Sequence, residues 1–158
     1  MVLGLAVLAM LAMWVYVLFL HEDTTSPDRL EDRSFPTNAE PLCARALARL
    51  DQLPPAREST TPQERAEVVD EADEVLRGMV ADLRAQAPTA GSDGRIVTEW
   101  LGDWGTYVGD RDDWADVLRT GKDTRFFETA KGGGPISELI DRFAVVNDMP
   151  SCATPDDV

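Results

Sequence analysis

Three kinds of side chain in this chain could do chemistry: one histidine, a set of carboxylates and a cluster of aromatic rings. The single histidine, His21, directly follows an apolar run, at one edge of the chain's polar part. Neither a Ser-His-Asp nor a Cys-His arrangement, nor a His-containing zinc site, can be assembled unless it folds back. Glu99, Asp103 and Asp110 flank the aromatic residues Trp100, Trp104, Tyr107 and Trp114. Two acids beside aromatic platforms are what glycan cleavage requires, although nothing in the spacing sets their separation. The same four aromatic residues read first as core and only then as a sugar or peptide platform.

Other acidic and glycine-rich patterns fail on counting. Taking Asp110 as the first position of a calcium loop puts Ala115 where an EF-hand needs glycine and Gly121 where it needs glutamate. Asp112 and Asp113 read instead as acids in the first turn of a helix, where they favour its dipole. Thr120-Gly121-Lys122-Asp123-Thr124 lacks both the hydroxyl residue directly after the lysine and the upstream glycine of a phosphate loop. Lys131-Gly132-Gly133-Gly134 reads as a flexible loop. Glu67, Asp70, Glu71 and Glu74 fall largely on one side of a helix; they read as a solvated face and are also the first candidate interaction surface. No cofactor and no metal ion is expected.

The charge balance narrows the partners. With 29 acidic against 15 basic residues the chain carries a formal charge of -14. No basic block is present, so nucleic acid is disfavoured, and so is docking on an anionic leaflet. A neutral or basic protein partner is expected. The two cysteines, Cys43 and Cys152, lie near the two ends of the expected domain, and in an oxidising compartment such a pair reads as a disulfide.

The elements that must position these residues are helical. A first helix is expected over about Ala39 to Leu53, capped by Asn38 or Thr37, with Pro41 in its first turn and Pro54-Pro55 ending it. Thr61-Pro62-Gln63-Glu64 is a capping box with proline at the first helical position. It opens a second helix with Ala66, Val69, Ala72, Leu76, Met79, Val80 and Leu83 on one stripe. A third helix from Ser92 or Asp93 carries Ile96, Val97, Trp100, Leu101, Trp104, Tyr107 and Val108. Gly109-Asp110 is expected to break it, with a short helix over Asp112 to Arg119 after the break. Thr124 to Ala130 has some β character, and a last helix runs over about Pro135 to Val146, followed by an irregular tail pinned through Cys152.

Met1 to Leu20 carries no charge and no proline, and roughly 20 apolar helical residues span a bilayer. The run lacks the basic start and small-x-small cleavage site of a signal peptide, so it reads as an uncleaved signal anchor, with Trp14 and Tyr16 at an interface. Residues 21–37 then read as an acidic flexible tether and 38–158 as one domain. Arg29 and Arg33 argue for a cytoplasmic C-terminal part; the acidic exit at His21-Glu22-Asp23 and the cysteine pair argue for the opposite orientation, which is the one expected.

The segments Trp100-Leu-Gly-Asp-Trp-Gly-Thr-Tyr107 and Ile140-Asp-Arg-Phe-Ala-Val-Val-Asn-Asp-Met-Pro-Ser-Cys152 resemble those of uncharacterised single-pass membrane proteins of actinobacteria. The resemblance implies an envelope location and carries no activity. The expected fold class is all-α: a transmembrane helix followed by a small extracytoplasmic helical bundle closed by one disulfide. The expected role is that of a non-catalytic anchored interaction or scaffold protein, with a glycan-binding module or a carboxylate-based envelope hydrolase as alternatives.

Overall fold

A turn at Asp32 starts the first helix earlier than the sequence pattern suggests. In this computed structural model, which describes residues 26–157 together with Met10, Met13 and Trp14, the Asp32 carboxylate accepts the Ser34 N–H at 2.8 Å. Helix α1 then runs over Ser34–Leu50. Pro36 falls in its first turn, where a missing N–H leaves no bond unmade, and Phe35 and Pro36 are buried. Pro41 is therefore inside the helix, not in its first turn.

The expected tether is corrected at the same place. Leu30 is buried, and its N–H donates to the Asn147 side chain at 2.9 Å. Arg33 donates to the Asn147 carbonyl and to the Asp148 carboxylate, both at 2.7 Å. Residues 28–33 thus belong to the domain, because the corner at Asn147 supplies partners for their backbone and arginines; residues 21–25 lie outside the described residues.

Helix α2, Pro62–Gln86, begins with the anticipated capping box. The Thr61 hydroxyl accepts the Glu64 N–H at 3.2 Å, and the Glu64 carboxylate accepts the Thr61 N–H at 3.1 Å. Helix α3, Gly91–Arg119, is one continuous helix of 29 residues, and the expected break at Gly109-Asp110 does not occur. A mid-helix glycine costs about 1 kcal/mol; burial of Val108, Arg111, Trp114, Ala115 and Leu118 around and beyond it offsets that cost. Partners on α2 and α3 run in opposite order, Arg84 with Leu101, Asp73 with Arg111 and Asp70 with Arg119, so the two helices are antiparallel.

After α3 the chain runs through 122–129 without regular structure. It forms a two-residue antiparallel ladder, β1 (Ala130–Lys131) with β2 (Gly134–Pro135). Gly132 and Gly133 have φ of +67° and +94°, which glycine adopts readily and L residues do not. The triple glycine is a hairpin turn, and the β character lies at its ladder, not over 124–129. Helix α4, Ile136–Val146, leads to a 3-10 turn at Pro150–Cys152.

The main core joins helices α1 to α4 through Phe35, Leu76, Leu83, Trp100, Trp104, Ile140 and Phe143. Trp100 stacks on Phe143 with centroids 4.7 Å apart and meets the Phe35 ring edge-on at 6.2 Å. The disulfide Cys43–Cys152 ties α1 to the closing turn, with Cα atoms 5.0 Å apart. The domain is mostly helical and closed by this one bond. Among the described residues no helix is long and apolar enough to cross a membrane; apart from Met10, Met13 and Trp14, the expected anchor at 1–20 lies outside them.

Candidate functional site: an arginine-rimmed groove

At the far end of the α2–α3 pair the apolar stripes each contain one charge. On α3 the stripe Trp104, Val108, Arg111, Trp114 and Leu118 includes a fully buried arginine; on α2 the stripe Val69, Asp73, Leu76 and Val80 includes a fully buried aspartate. The two meet through Arg111 Nε and Asp73 Oδ1. The other two nitrogens of Arg111 grip Asp157 in a two-pronged pair, both contacts 2.8 Å, and the guanidinium carbon lies 5.7 Å from the centre of the Tyr107 ring. Such forked pairing with carboxylate is what a planar guanidinium does best.

Two acids thus share one base in the interior. Burial raises the Asp73 carboxyl to about 6, against the pull of Arg111, and its Oδ2 has no partner among the described residues. For Arg111, burial works against the charge, but the hydrogen bonds and charge of Asp157, with the charge of Asp73, outweigh it and hold the group firmly protonated. Burial also pushes Tyr107 up to about 12, with Arg111 opposing.

Above this cluster opens a groove of about 880 Å³. Tyr107, Phe126 and Trp114 make its floor: Phe126 meets Tyr107 edge-on at 6.0 Å and lies tilted against Trp114 at 5.5 Å. The Trp114 indole N–H donates to the Thr124 carbonyl at 2.9 Å, which keeps the 122–129 segment against α3. Arg57, Arg65 and Arg125 stand at the rim with Asp123, Glu128, Asp141 and Asp156. Arg65 pairs with Asp123 at 2.6 Å; Arg57 and Arg125 make no ion pair among the described residues. Glu128 accepts the Ser137 N–H at the start of α4 (2.9 Å), and Asp141 accepts the Thr154 N–H at 2.7 Å. The groove is therefore mixed in charge, with an apolar floor, two guanidinium groups outside any ion pair among the described residues, and a buried third beneath.

Of the residues singled out from the sequence, Trp100 and Trp104 are core, and neither can be a platform. Tyr107 and Trp114 are nearly buried and present only part of their rings to the groove. Glu99 and Asp103 do come together, but both bind Lys131, at 3.0 and 2.7 Å. The hydrogen bond it donates to Asp103, then the one it donates to Glu99, raises the lysine above its usual value. Asp110 accepts the N–H and hydroxyl of Thr129 at 2.6 and 2.8 Å. Glu67, Glu71 and Glu74 are exposed on α2, whereas Asp70 is half-buried and pairs with Arg119. No group of metal-ligating side chains occurs among the described residues.

The sequence reading passed over Arg57, Arg65, Asp73, Arg111, Arg125, Phe126 and Asp157. A signal existed for two of them: Asp73 and Arg111 each interrupt an otherwise apolar helical stripe with opposite charges. No family model, no curated protein and no solved structure matches this chain.

Proposed function

We propose that this chain is a membrane-anchored, non-catalytic binding module whose disulfide-closed helical domain stands outside the cytoplasm and captures a protein partner of the envelope in the arginine-rimmed groove. The observation that carries the reading is the groove itself, an open concavity with an aromatic floor and polar groups converging on it, which is the usual form of a binding site. A disulfide is at home in an oxidising compartment, and the apolar run Met1 to Leu20 supports an anchor. Met10, Met13 and Trp14 within that run are helical and more than half exposed, as large apolar side chains are when they face lipid and not a protein core.

Catalysis by carboxylates is not favoured, because Glu99 and Asp103 are bridged by one lysine and Asp110 is occupied by Thr129. A glycan is the second reading, supported only by the ring edges of Tyr107 and Trp114. The net charge of -14 favours partners that are neutral or basic as a whole at long range, while inside the groove the arginines favour a local acidic segment of such a partner. The exposed acids Glu67, Glu71 and Glu74, with Asp70, remain a second candidate surface.

A photo-crosslinking residue at position 124 or 125, both lining the groove, compared with position 45 on α1, tests the proposal in the full chain in membranes. Discrete protein adducts from 124 and 125 but not from 45 are expected; adducts carrying sugar mass support the glycan reading. Equal labelling at all three sites overturns the groove as the contact surface.

A further inference from the structure

We propose that residues 155–157 form a displaceable strap occupying, in cis, a site for an extended acidic peptide, with buried Arg111 as the carboxylate receptor. The inference rests on the groove being the binding site and names the ligand class that site takes.

Three observations converge on it. Arg111 has no exposed side-chain surface, yet the carboxylate it grips, that of Asp157, is 23% exposed. The receptor is built into the core and its occupant comes from outside. Secondly, the strap is flanked by space on both sides. Pro155 and Asp156 line the groove of about 880 Å³, and with Asp157 they also line a cavity of about 380 Å³ walled by Leu47, Leu50, Leu53 and Val68. Beyond Thr154 its other holds are single contacts at normal or long range. The Ala56 N–H donates to the Asp157 carbonyl at 3.2 Å, and Arg57 donates to the Asp156 carbonyl at 3.3 Å. A segment that was simply part of the core would be packed on both faces.

Thirdly, the charges permit exchange. Removing the only partner of a buried arginine strands a charge, which is strongly destabilising. Here Asp73 stays on the Nε side when Asp157 leaves, so Arg111 keeps a counter-ion throughout. Asp73 is the resident partner and Asp157 the exchangeable one. An incoming peptide presents a side-chain carboxylate to the two outer nitrogens of Arg111 and lays its backbone where residues 155–157 lie, within reach of Arg57. Because the strap is covalently attached, its effective concentration is high. A competing segment wins by adding contacts the strap does not use, on Phe126, Trp114 and Arg125.

The test uses the full chain carrying Asp157→Ala and the peptide acetyl-Ala-Thr-Pro-Asp-Asp-amide as probe, with binding measured by fluorescence anisotropy of a labelled copy. The peptide is expected to bind the variant at least tenfold more tightly than the wild-type chain, where the site is filled. Changing the last Asp of the peptide to Asn, or adding Arg111→Met to the protein, should remove that gain. Asp157→Asn, which keeps the side-chain shape and one acceptor oxygen, is measured in parallel so that a folding defect in the alanine variant cannot stand in for a binding result. Its affinity should fall between those of the other two chains. Equal peptide affinity for wild type and both variants, or a gain indifferent to the peptide carboxylate, overturns the strap proposal. Crosslinking at positions 124 and 125 would survive that result, so failure here and failure of the groove as a binding site can be told apart.

Discussion

Replacing Asp73 by asparagine should flatten the dependence of stability on pH between neutrality and pH 5. In the native state the carboxyl titrates at about 6, against a usual value of 3.8, because burial disfavours its charge more than Arg111 favours it. The folded protein therefore binds a proton that the unfolded chain releases. For a native pKa raised in this way, the contribution to stability is fully present below the unfolded value and is lost as pH rises through 6. A shift of this size corresponds to about 3 kcal/mol over the whole range. Between pH 7.5 and pH 5 the linkage relation leaves about 1.4 kcal/mol, so the wild-type chain should be more stable at pH 5 by that amount.

The asparagine side chain of Asp73→Asn has the same shape and offers one oxygen to Arg111 Nε, but it does not titrate. The variant should lose the gain, and every group common to both chains drops out of the comparison. Asp32 and Glu64 are lowered from their usual values, Asp32 chiefly by the Ser34 N–H and Glu64 chiefly by the Thr60 hydroxyl. What they contribute is lost only in more acid solution, outside this window. Guanidinium unfolding of both chains at pH 7.5, 6 and 5, with the disulfide intact, reads the difference. Parallel pH profiles for wild type and Asp73→Asn would show that Asp73 does not take up the proton and would refute the account of the buried cluster.

Trp104 is fully buried between α3 and the rest of the core, so Trp104→Ala should cost about 3 to 5 kcal/mol; an unchanged unfolding midpoint rejects its place in the core. Cys43→Ser opens the 109-residue separation closed by the disulfide, and chain entropy alone puts the loss on the order of 4 to 5 kcal/mol. In the native protein both thiols should resist alkylation until reduction, and labelling without reductant contradicts the bond. Glu71→Lys with Glu74→Lys changes two exposed positions and should leave stability within about 0.5 kcal/mol of wild type. If partner capture nevertheless falls in a salt-dependent way, the acidic face is a contact surface; capture unaffected by reversal or salt excludes it.

The helices that were legible were those whose signals are local. Thr61, Pro62 and Glu64 fix the start of α2 within four consecutive residues, and the Trp100 to Tyr107 stripe identifies the core face of α3. Two errors came from reading local signals where tertiary contacts rule. Gly109 reads as a breaker, but the residues beyond it bury a large apolar face that keeps α3 intact. The proline-containing stretch before Asn38 reads as a tether because its partners, Asn147 and Asp148, are more than a hundred residues away. The groove was illegible for the same reason: Arg57, Arg65, Arg125 and Asp156 come from four separate segments. Only the paired intrusions of Asp73 and Arg111 into apolar stripes left a trace that sequence reasoning could have followed.

The covalent frame around the strap determines how it can open. Cys152 is fixed to α1 by the disulfide, and Thr154 is held to Asp141 on α4 by its N–H and its hydroxyl, at 2.7 and 3.0 Å. Movement is thereby confined to the residues from Pro155 onward, and Pro155 with its fixed φ limits the swing further. A strap hinged so close to the site returns quickly and closes the site against weak ligands. The same hinge leaves the groove floor of Tyr107, Phe126 and Trp114 in place when the strap is out, since those rings are held by α3 and by the Thr124 carbonyl. Selection is then by sum of contacts: a carboxylate alone reproduces only what Asp157 already supplies. A longer acidic segment that also covers the aromatic floor and meets Arg125 gains over the strap, so reduction of the disulfide should weaken discrimination between the two by freeing the strap from its anchor.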